Sequence, residues 1–296
     1  MSILSEFKVP IRKATGLPKK VYLVLSGGGI NYIAHAGAVS ALEAAGVEIA
    51  GCGGASAGAI VSAFVCGRKE PDTDLKDIIM RTIPGLHVSL GARMFPWRRP
   101  YGLNTGKGLV QAFERELLSK MYKARKPLAI VTCPLWRRQK VWTSWSQDRK
   151  TREESLPRVV RASMAVPGLF TPIYLDGHPH IDGGLSSNFP IDDISFPDPT
   201  IPILGLKIQS VGEKEELRSI WDYIGAVVNT AIHSNESEDI DDAAASGTPW
   251  IEIEVPPGSL NLDIDEATAH TLWRCGVESV EDWRDTRRRM LPFLRV

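Results

Sequence analysis

The feature that most constrains the fold is the run of small residues at 49–60, IAGCGGASAGAI, which has one hydroxyl, Ser56, at its centre. Gly54, Ser56 and Gly58 have the Gly-x-Ser-x-Gly spacing of a strand that turns sharply into a helix and presents a serine at the turn. Such a turn brings neighbouring backbones together, so its flanking residues must be small. The run predicts a strand, a strained turn and a helix whose N-terminus lies at Ser56. A glycine-rich turn with a capping serine is the simpler alternative.

The rest of the chain alternates predicted strands and helices. Near-continuous apolar runs at 21–26 and 201–208 are typical of strands buried on both faces. Further strands are predicted at 47–52, 128–133, 140–144, 171–175, 178–181 and 250–255. Of these, 128–133 with 140–144 and 171–175 with 178–181 are predicted hairpins, the second around the Asp176-Gly177 turn. Helices are predicted at 30–45, 57–66, 72–81, 105–123, 153–165, 213–232 and 265–291. The acidic segment 235–242 either continues the helix before it or breaks it. The alternation predicts a single three-layer α/β/α domain around a mostly parallel central sheet.

Within that domain we expect an extended leader at 1–20, a catalytic core at 21–208 and a C-terminal part at 209–296. The four cysteines are far apart and form no C-x-x-C pair, which favours a reducing compartment. No signal peptide and no 18-residue apolar span is present in the sequence. We therefore expect a cytoplasmic protein whose membrane contact, if it has any, is peripheral.

Charge is distributed unevenly although the formal net charge is zero. Residues 93–150 contain 14 Lys or Arg against 3 Asp or Glu, whereas residues 176–266 contain 3 against 19. The basic third also carries Phe95, Trp97, Tyr101, Trp136, Trp142 and Trp145. This pattern fits contact with an anionic lipid surface or a nucleic acid, or solvated faces with buried rings. The irregular stretch around Phe95, Trp97, Arg98 and Arg99 is the candidate lipid contact.

Acyl transfer requires a nucleophile, a base and donors to the oxyanion, and the sequence offers candidates for each. Ser56 is the candidate nucleophile. Gly27, Gly28 and Gly29 follow the first strand and open a helix, where their N–H groups can approach a substrate closely. Their spacing matches neither a P-loop nor G-x-G-x-x-G, so we expect no bound nucleotide. Nucleic acid is not an expected partner either. Asp182 follows a predicted strand and precedes Gly183 and Gly184. This places a carboxylate at a strand end where the backbone is open to close approach.

Histidine is the usual base, and the order in α/β-hydrolases makes His233 and His270 eligible. The alternation of His178, His180 and Asp182 also fits a metal cluster, but no further ligand set at metal spacing accompanies it. We therefore expect no metal and no cofactor.

Five segments together resemble the patatin-like phospholipases, the acyl hydrolases that use a Ser–Asp dyad. These segments are LVLSGGG (23–29), AHAG (34–37), GASAG (54–58), ASMAVPGLFTPI (162–173) and DGGLSSNFP (182–190). The resemblance implies a patatin-like fold, Ser56 as nucleophile, Asp182 as its base and Gly27, Gly28 and Gly29 as the oxyanion hole. Gly54, Gly58, Gly183 and Gly184 would support these residues. The implied substrate is a phospholipid or another acyl-ester lipid, and several such enzymes need an activating partner.

One departure from the family pattern follows the triple glycine. The family commonly has any residue, then Arg or Lys, then Gly, whereas this chain has Ile30, Asn31 and Tyr32. The missing basic residue puts a phosphate contact there in doubt. Two other interpretations therefore stay open: a degenerate patatin-like module that binds lipid or protein without turnover, and an α/β-hydrolase esterase with a Ser-Asp-His triad.

Overall fold

The computed structural model describes residues 17–86, 102–210, 220–256 and 264–290. Most of the predicted leader, His87 and the predicted lipid-contact residues Phe95, Trp97, Arg98 and Arg99 lie outside these ranges.

The strands and helices of the described ranges alternate along the chain. The strands are β1 Lys20–Leu25, β2 Glu48–Ala55, β3 Gly102–Asn104, β4 Leu128–Pro134, β5 Lys140–Thr143, β6 Gly168–Phe170, β7 Ile173–Leu175, β8 His178–Ile181, β9 Ile203–Ser210 and β10 Trp250–Val255. The helices are α1 Tyr32–Ala44, α2 Ala57–Gly67, α3 Leu75–Leu86, α4 Lys107–Glu116, α5 Arg149–Glu153, α6 Leu156–Ser163, α7 Ile220–Ser246 and α8 Glu266–Met290.

The central sheet has the strand order β10-β9-β1-β2-β4-β8-β7, and β5 pairs with β4. The first five strands in that order are parallel to one another. The pairs β4–β5, β4–β8 and β7–β8 are antiparallel, so both predicted hairpins are present. Because β10 pairs with β9, residues after 208 extend this same sheet. The predicted mostly parallel α/β architecture is confirmed.

Alternate side chains of β1 enter two separate cores, which explains its continuous apolar sequence. Val21, Leu23 and Leu25 belong to the larger core, to which α1, α2 and α8 also contribute. Tyr22 and Val24 belong to the second core, which includes Ala243 of α7. The sheet is thus covered on both faces, as expected for parallel strands.

Several helix boundaries differ from the sequence predictions. The helix predicted at 153–165 is shorter, because α6 begins only at Leu156, where Pro157 favours the first turn, and a separate helix, α5, ends at Glu153. The helix predicted at 213–232 begins, within the described ranges, at Ile220 and runs to Ser246, so the acidic segment 235–242 continues it. The helix predicted at 105–123 ends at Glu116, since Leu117 is extended and forms a β-bridge with Arg68.

No helix in the described ranges is both long enough and apolar enough to cross a lipid bilayer.

Candidate active site

Ser56 occupies a strained turn between β2 and α2. Its backbone angles are φ 49° and ψ −113°, a conformation that L residues rarely adopt. The turn is tight because Gly54 and Gly58 pass close to the end of β1: a Cβ on either residue would lie under 3.0 Å from the carbonyl oxygen of Leu25. The small residues of the run are therefore required by the close approach of the two chain segments.

The hydroxyl of Ser56 and the carboxylate of Asp182 form a direct hydrogen bond. Ser56 Oγ donates to Asp182 Oδ2 at 2.8 Å. The second carboxylate oxygen, Oδ1, accepts from the backbone N–H of Gly184 at 2.8 Å, so both oxygens are oriented. Asp182 is fully buried and Ser56 is 8% exposed. The fold brings together two side chains that are 126 residues apart in the sequence.

Burial raises the pKa of Asp182 to about 7. The hydrogen bonds from Ser56 and Gly184 and the positive charge of Arg161 act in the opposite direction, because each favours the ionised carboxylate. A carboxylate with a pKa near neutrality is a far better proton acceptor than an ordinary aspartate, and it is still partly ionised at pH 7.

Arg161 is a buried cation beside this site that the sequence did not single out. It lies on α6, is fully buried, and its Nη2 donates to the carbonyl oxygens of Thr105 and Thr171 at 3.2 Å each. Its guanidinium lies 4.5 Å from the centroid of the Phe170 ring. Nε and Nη1 have no hydrogen-bond partner among the described residues. Burial accordingly lowers its pKa to about 10, and the charge of Asp182 opposes that shift.

Ser163, also on α6, fixes the backbone of the turn. The Ser56 N–H donates to Ser163 Oγ at 2.9 Å, and Ser163 Oγ donates to the carbonyl oxygen of Val131 on β4 at 2.6 Å. This relay ties the strained residue to a neighbouring strand. Ser163 lies inside the family-like segment 162–173, but nothing in the sequence indicated that its hydroxyl would hold the backbone of Ser56.

The three glycines after β1 differ in the availability of their N–H groups. The N–H of Gly27 donates to the carbonyl oxygen of Asn188 at 2.8 Å, so it is already engaged. Gly28 and Gly29 have φ angles of 153° and 58°, which favour glycine. The structure records no acceptor for their N–H groups within the described residues. Gly28 and Gly29 are therefore the candidate oxyanion donors, and Gly27 instead holds the loop that carries Asn188.

Helix α7 anchors that loop from the far side, an arrangement that no sequence pattern indicated. Asp239 Oδ2 accepts from the N–H of Phe189 at 2.8 Å, and Asn235 Nδ2 donates to the carbonyl oxygen of Leu185 at 2.6 Å. Ser187 Oγ donates to Asp239 Oδ1 at 3.3 Å. Burial raises the pKa of Asp239 to about 6. These contacts hold residues 185–189 immediately after Asp182.

Histidines contribute to the framework around the site. His35 Nε2 donates to the carbonyl oxygen of Ser26 at 2.9 Å, and burial lowers its pKa to about 4, so the ring stays neutral. His180 Nδ1 hydrogen-bonds Thr132 Oγ1 at 2.9 Å. His270 lies on α8, 3.8 Å from Glu266. Of the histidine side chains that the structure describes, none bonds to Ser56 or Asp182.

The sequence model of the patatin-like phospholipase family matches residues 23–194, more than half of the chain. The chain belongs to this family. The match begins within β1 and includes Ser56 and Asp182, and it ends before α7. Helix α7, with its anchoring side chains Asn235 and Asp239, thus lies beyond the matched segment.

Relatives of this patatin-like chain are distant in sequence. An uncharacterised protein of Acanthamoeba polyphaga mimivirus is 24% identical over 292 residues, which are 89% of this chain and 95% of that protein. A lysophospholipase of Cryptococcus neoformans is 28% identical over 198 residues, which are 64% of this chain but 11% of that protein. The chain therefore spans only a small part of this lysophospholipase.

The fold resembles that of VipD from Legionella pneumophila. The TM-score is 0.56 at 16% sequence identity, and the match covers 91% of this chain and 67% of VipD. At this identity the similarity supports the fold alone.

The two residues that depart from the patatin-like pattern are both buried. Asn31 is 2% exposed and Tyr32 is 1% exposed, and the Tyr32 ring belongs to the larger core. The Asn31 amide nitrogen and the Tyr32 hydroxyl have no hydrogen-bond partner among the described residues. Burial raises the pKa of Tyr32, so the phenol stays neutral.

Proposed function

We propose that this protein is a lipid acyl hydrolase of the phospholipase A or lysophospholipase type. It cleaves carboxylic ester bonds through an acyl-enzyme on Ser56, with Asp182 as the base. The observation that carries the proposal is the 2.8 Å hydrogen bond from Ser56 Oγ to a buried carboxylate at a strained strand–helix turn. Membership of the patatin-like phospholipase family supports a lipid ester as the substrate class.

In the proposed mechanism, Asp182 accepts the proton of Ser56 Oγ as that oxygen attacks the ester carbonyl. The carbonyl oxygen becomes negative and is stabilised by the free N–H groups of Gly28 and Gly29 and by the N-terminus of α2. Asp182 returns the proton to the departing alcohol. Water then attacks the acyl-enzyme with Asp182 again accepting a proton, which it returns to Ser56 Oγ as the acyl–oxygen bond breaks and the fatty acid leaves. No cofactor or metal ion takes part in these steps.

The pKa of Asp182 determines the pH dependence expected of this mechanism. The base must be ionised to accept a proton, and burial raises its pKa to about 7. We therefore expect kcat/KM to fall as the pH is lowered through about 7 and to reach a plateau above it. An ordinary aspartate would keep full activity down to about pH 4, so the midpoint of the pH profile tests the assignment.

The proposed setting is the cytoplasm, with peripheral contact to a membrane that supplies the lipid. Cys52, Cys66, Cys133 and Cys275 are all free thiols, which is compatible with a reducing compartment. The proposal is compatible with activation by a protein partner.

Comparison of Ser56→Ala with wild type tests the function directly. The matched control is Ser62→Ala on the same helix, because Ser62 is also buried but its hydroxyl has no hydrogen-bond partner among the described residues. We expect release of fatty acid from phospholipid and lysophospholipid, and labelling by a fluorophosphonate probe, in wild type and Ser62→Ala. Both should be absent in Ser56→Ala. Equal labelling of all three proteins would refute Ser56 as nucleophile, and no labelling of wild type would favour a non-catalytic lipid-binding module.

A further inference from the structure

The turn of the β4–β5 hairpin, residues 135–139, presents a fully projecting tryptophan; we call this segment the hairpin tip. Trp136 is 90% exposed, the highest value among the exposed large hydrophobic residues of the described ranges. The other tryptophan of this hairpin, Trp142, is fully buried and donates from Nε1 to Thr132 Oγ1 at 2.8 Å. The fold therefore buries one ring of the hairpin and leaves the other in solvent.

The backbone at Trp136 is strained as well as exposed. Its φ is 62°, in the left-handed region where glycine is normally found. An L residue in that region costs about 1–2 kcal/mol, and a bulky side chain there is a genuine outlier. A glycine or asparagine would suit this turn better, so neither the folding of the hairpin nor core packing accounts for a tryptophan here.

Two unpaired cations follow the exposed ring. Arg137 and Arg138 are both exposed, and neither forms an ion pair with any residue that the structure describes. The acidic side chains that contact the hairpin are already engaged. Asp193 accepts from Gln139 at 2.7 Å, and Asp176 pairs with Lys140 at 3.0 Å. The guanidinium groups are therefore available to an external anion.

A second exposed aromatic residue lies on the neighbouring strands. The Leu135 N–H donates to the carbonyl oxygen of Pro179 on β8 at 3.0 Å, and Pro179 pairs with Tyr174 on β7. Residues paired in this way present their side chains on the same face of an antiparallel sheet. Tyr174 is 65% exposed, so the strands next to the tip carry a second exposed aromatic ring.

The tip lies at the C-terminal end of the parallel strands, where the candidate active site also lies. Strands β2 and β4 are parallel neighbours, and Ser56 directly follows β2 while the tip directly follows β4. Cys133 pairs with Ile181, the residue before Asp182. Trp136 is three residues beyond Cys133, in the turn that begins after Pro134, so it lies at the same end of β4 as that pair. A surface that contacts the tip is therefore brought to the end of the strands at which Ser56 lies.

We propose that the hairpin tip is a membrane anchor: Trp136 inserts among the headgroups of an anionic lipid surface while Arg137 and Arg138 bind lipid phosphates. An exposed tryptophan flanked by cations fits a membrane–water interface, where one side of the ring is apolar and the other is hydrated. A protein partner would need a far larger complementary surface than one ring and two arginines. The anchor extends the proposed function but does not depend on turnover, because membrane binding can be measured in the inactive protein.

The test uses the full chain carrying Ser56→Ala, so that lipid hydrolysis cannot change the vesicles. Co-sedimentation with vesicles of equal parts phosphatidylserine and phosphatidylcholine is compared with pure phosphatidylcholine vesicles. The variants are Trp136→Ala and the double variant Arg137→Gln/Arg138→Gln. The matched control is Tyr122→Ala, because Tyr122 is an exposed aromatic residue (44%) that precedes β4 and so lies toward the opposite edge of the sheet.

We expect Trp136→Ala to weaken partitioning into both kinds of vesicle by about tenfold. The double arginine variant should lose about 30-fold on anionic vesicles, at about 1 kcal/mol per arginine, and nothing on neutral ones. Tyr122→Ala should bind as the parent does. The proposal is overturned if the parent does not bind anionic vesicles, if the tip variants bind as well as the parent, or if Tyr122→Ala loses as much binding. Failure of Ser56→Ala to abolish turnover would refute the proposed mechanism and leave these binding results unaffected.

Discussion

Ser56 and Trp136 have strained backbones and lie at the same end of adjacent parallel strands, but one is buried and the other is exposed. Both are non-glycine residues with φ in the left-handed region, and they follow β2 and β4, which are adjacent parallel strands. Ser56 is 8% exposed, and its hydroxyl and its N–H are both hydrogen-bonded. Trp136 is 90% exposed.

The difference shows how strain is maintained in the two places. At Ser56, close packing of Gly54 and Gly58 against Leu25 and the hydrogen bond to Ser163 leave the backbone no alternative. Strain of this kind persists only where the surroundings over-determine it, which is typical of active sites. At Trp136 no comparable packing restrains the ring, so the strain there is a cost that folding alone does not explain.

The largest effect is expected when the carboxylate that orients Ser56 is neutralised. Asp182→Asn should lower kcat/KM at pH 8 by about 100- to 10 000-fold, the contribution typical of general-base catalysis, since the remaining amide cannot accept the proton. Asp192→Asn, at an exposed position, is the control. Activity within tenfold of wild type would contradict the role of Asp182.

The same substitution should stabilise the fold at alkaline pH. Because the pKa of Asp182 is raised to about 7, the native state holds this proton more tightly than the unfolded state, and stability falls as the pH rises toward 7. Asn carries no charge, so above pH 7 the variant should gain up to about 4 kcal/mol in the free energy of unfolding, measured in urea. At pH 4 the two proteins should differ little. An equal difference at both values would rule out the titration of Asp182 as its cause.

Gly58→Ala tests the packing that maintains the strain at Ser56. The new methyl would meet the backbone carbonyl of Leu25, which cannot move without disturbing β1, so we expect a loss of about 3 kcal/mol in unfolding free energy. Gly108→Ala on α4 is the matched control: nothing lies within 4 Å of its added Cβ. There the same change should stabilise the helix by about 1 kcal/mol. If both variants behaved alike, the close approach would not be what requires glycine at 58.

Much of the Ser56 region was predictable because its requirements are local. The strand–turn–helix, the parallel sheet and both hairpins follow from apolar runs, small residues and an Asp-Gly turn that each lie within about ten residues of sequence. The family resemblance predicted Ser56 and Asp182 as a catalytic pair; the structure shows a hydrogen bond between the two side chains, and their catalytic roles stay a prediction.

What could not be predicted depends on contacts between distant segments. The engagement of Gly27 by Asn188 is set by a loop 161 positions later, and no feature of three consecutive glycines distinguishes the first from the others. The charged surface of α7 likewise gives no indication that Asp239 reaches the N–H of Phe189. Arg161 could not be recognised as buried, because arginine is usually exposed and its position in α6 is an ordinary helical one.

Asp239→Ala tests whether the rigidity around Ser56 extends to α7. Without this carboxylate the loop that holds Gly27 through Asn188 loses two hydrogen bonds, so the donors Gly28 and Gly29 should be less well aligned with the oxyanion. We expect kcat to fall about tenfold with KM nearly unchanged, since the missing stabilisation applies to the transition state. The exposed Asp241→Ala on the same helix is the control. A rise in KM alone, or a loss of thermal stability with kcat intact, would assign Asp239 a purely structural role.

The smallest effect on stability is expected at Trp136, the exposed residue of the two strained ones. Trp136→Gly removes the left-handed strain, worth about 1–2 kcal/mol, but adds the conformational entropy of glycine to the unfolded chain, about 1 kcal/mol. The net change in unfolding free energy should therefore lie between zero and about 1 kcal/mol in favour of the variant, measured by thermal and urea unfolding. The glycine should nevertheless lose vesicle binding as Trp136→Ala does. A clear loss of stability would mean that the ring packs on the protein and is not kept for an external surface. A variant that folds as well as wild type but no longer binds lipid would mean that the strain at the tip is retained for binding.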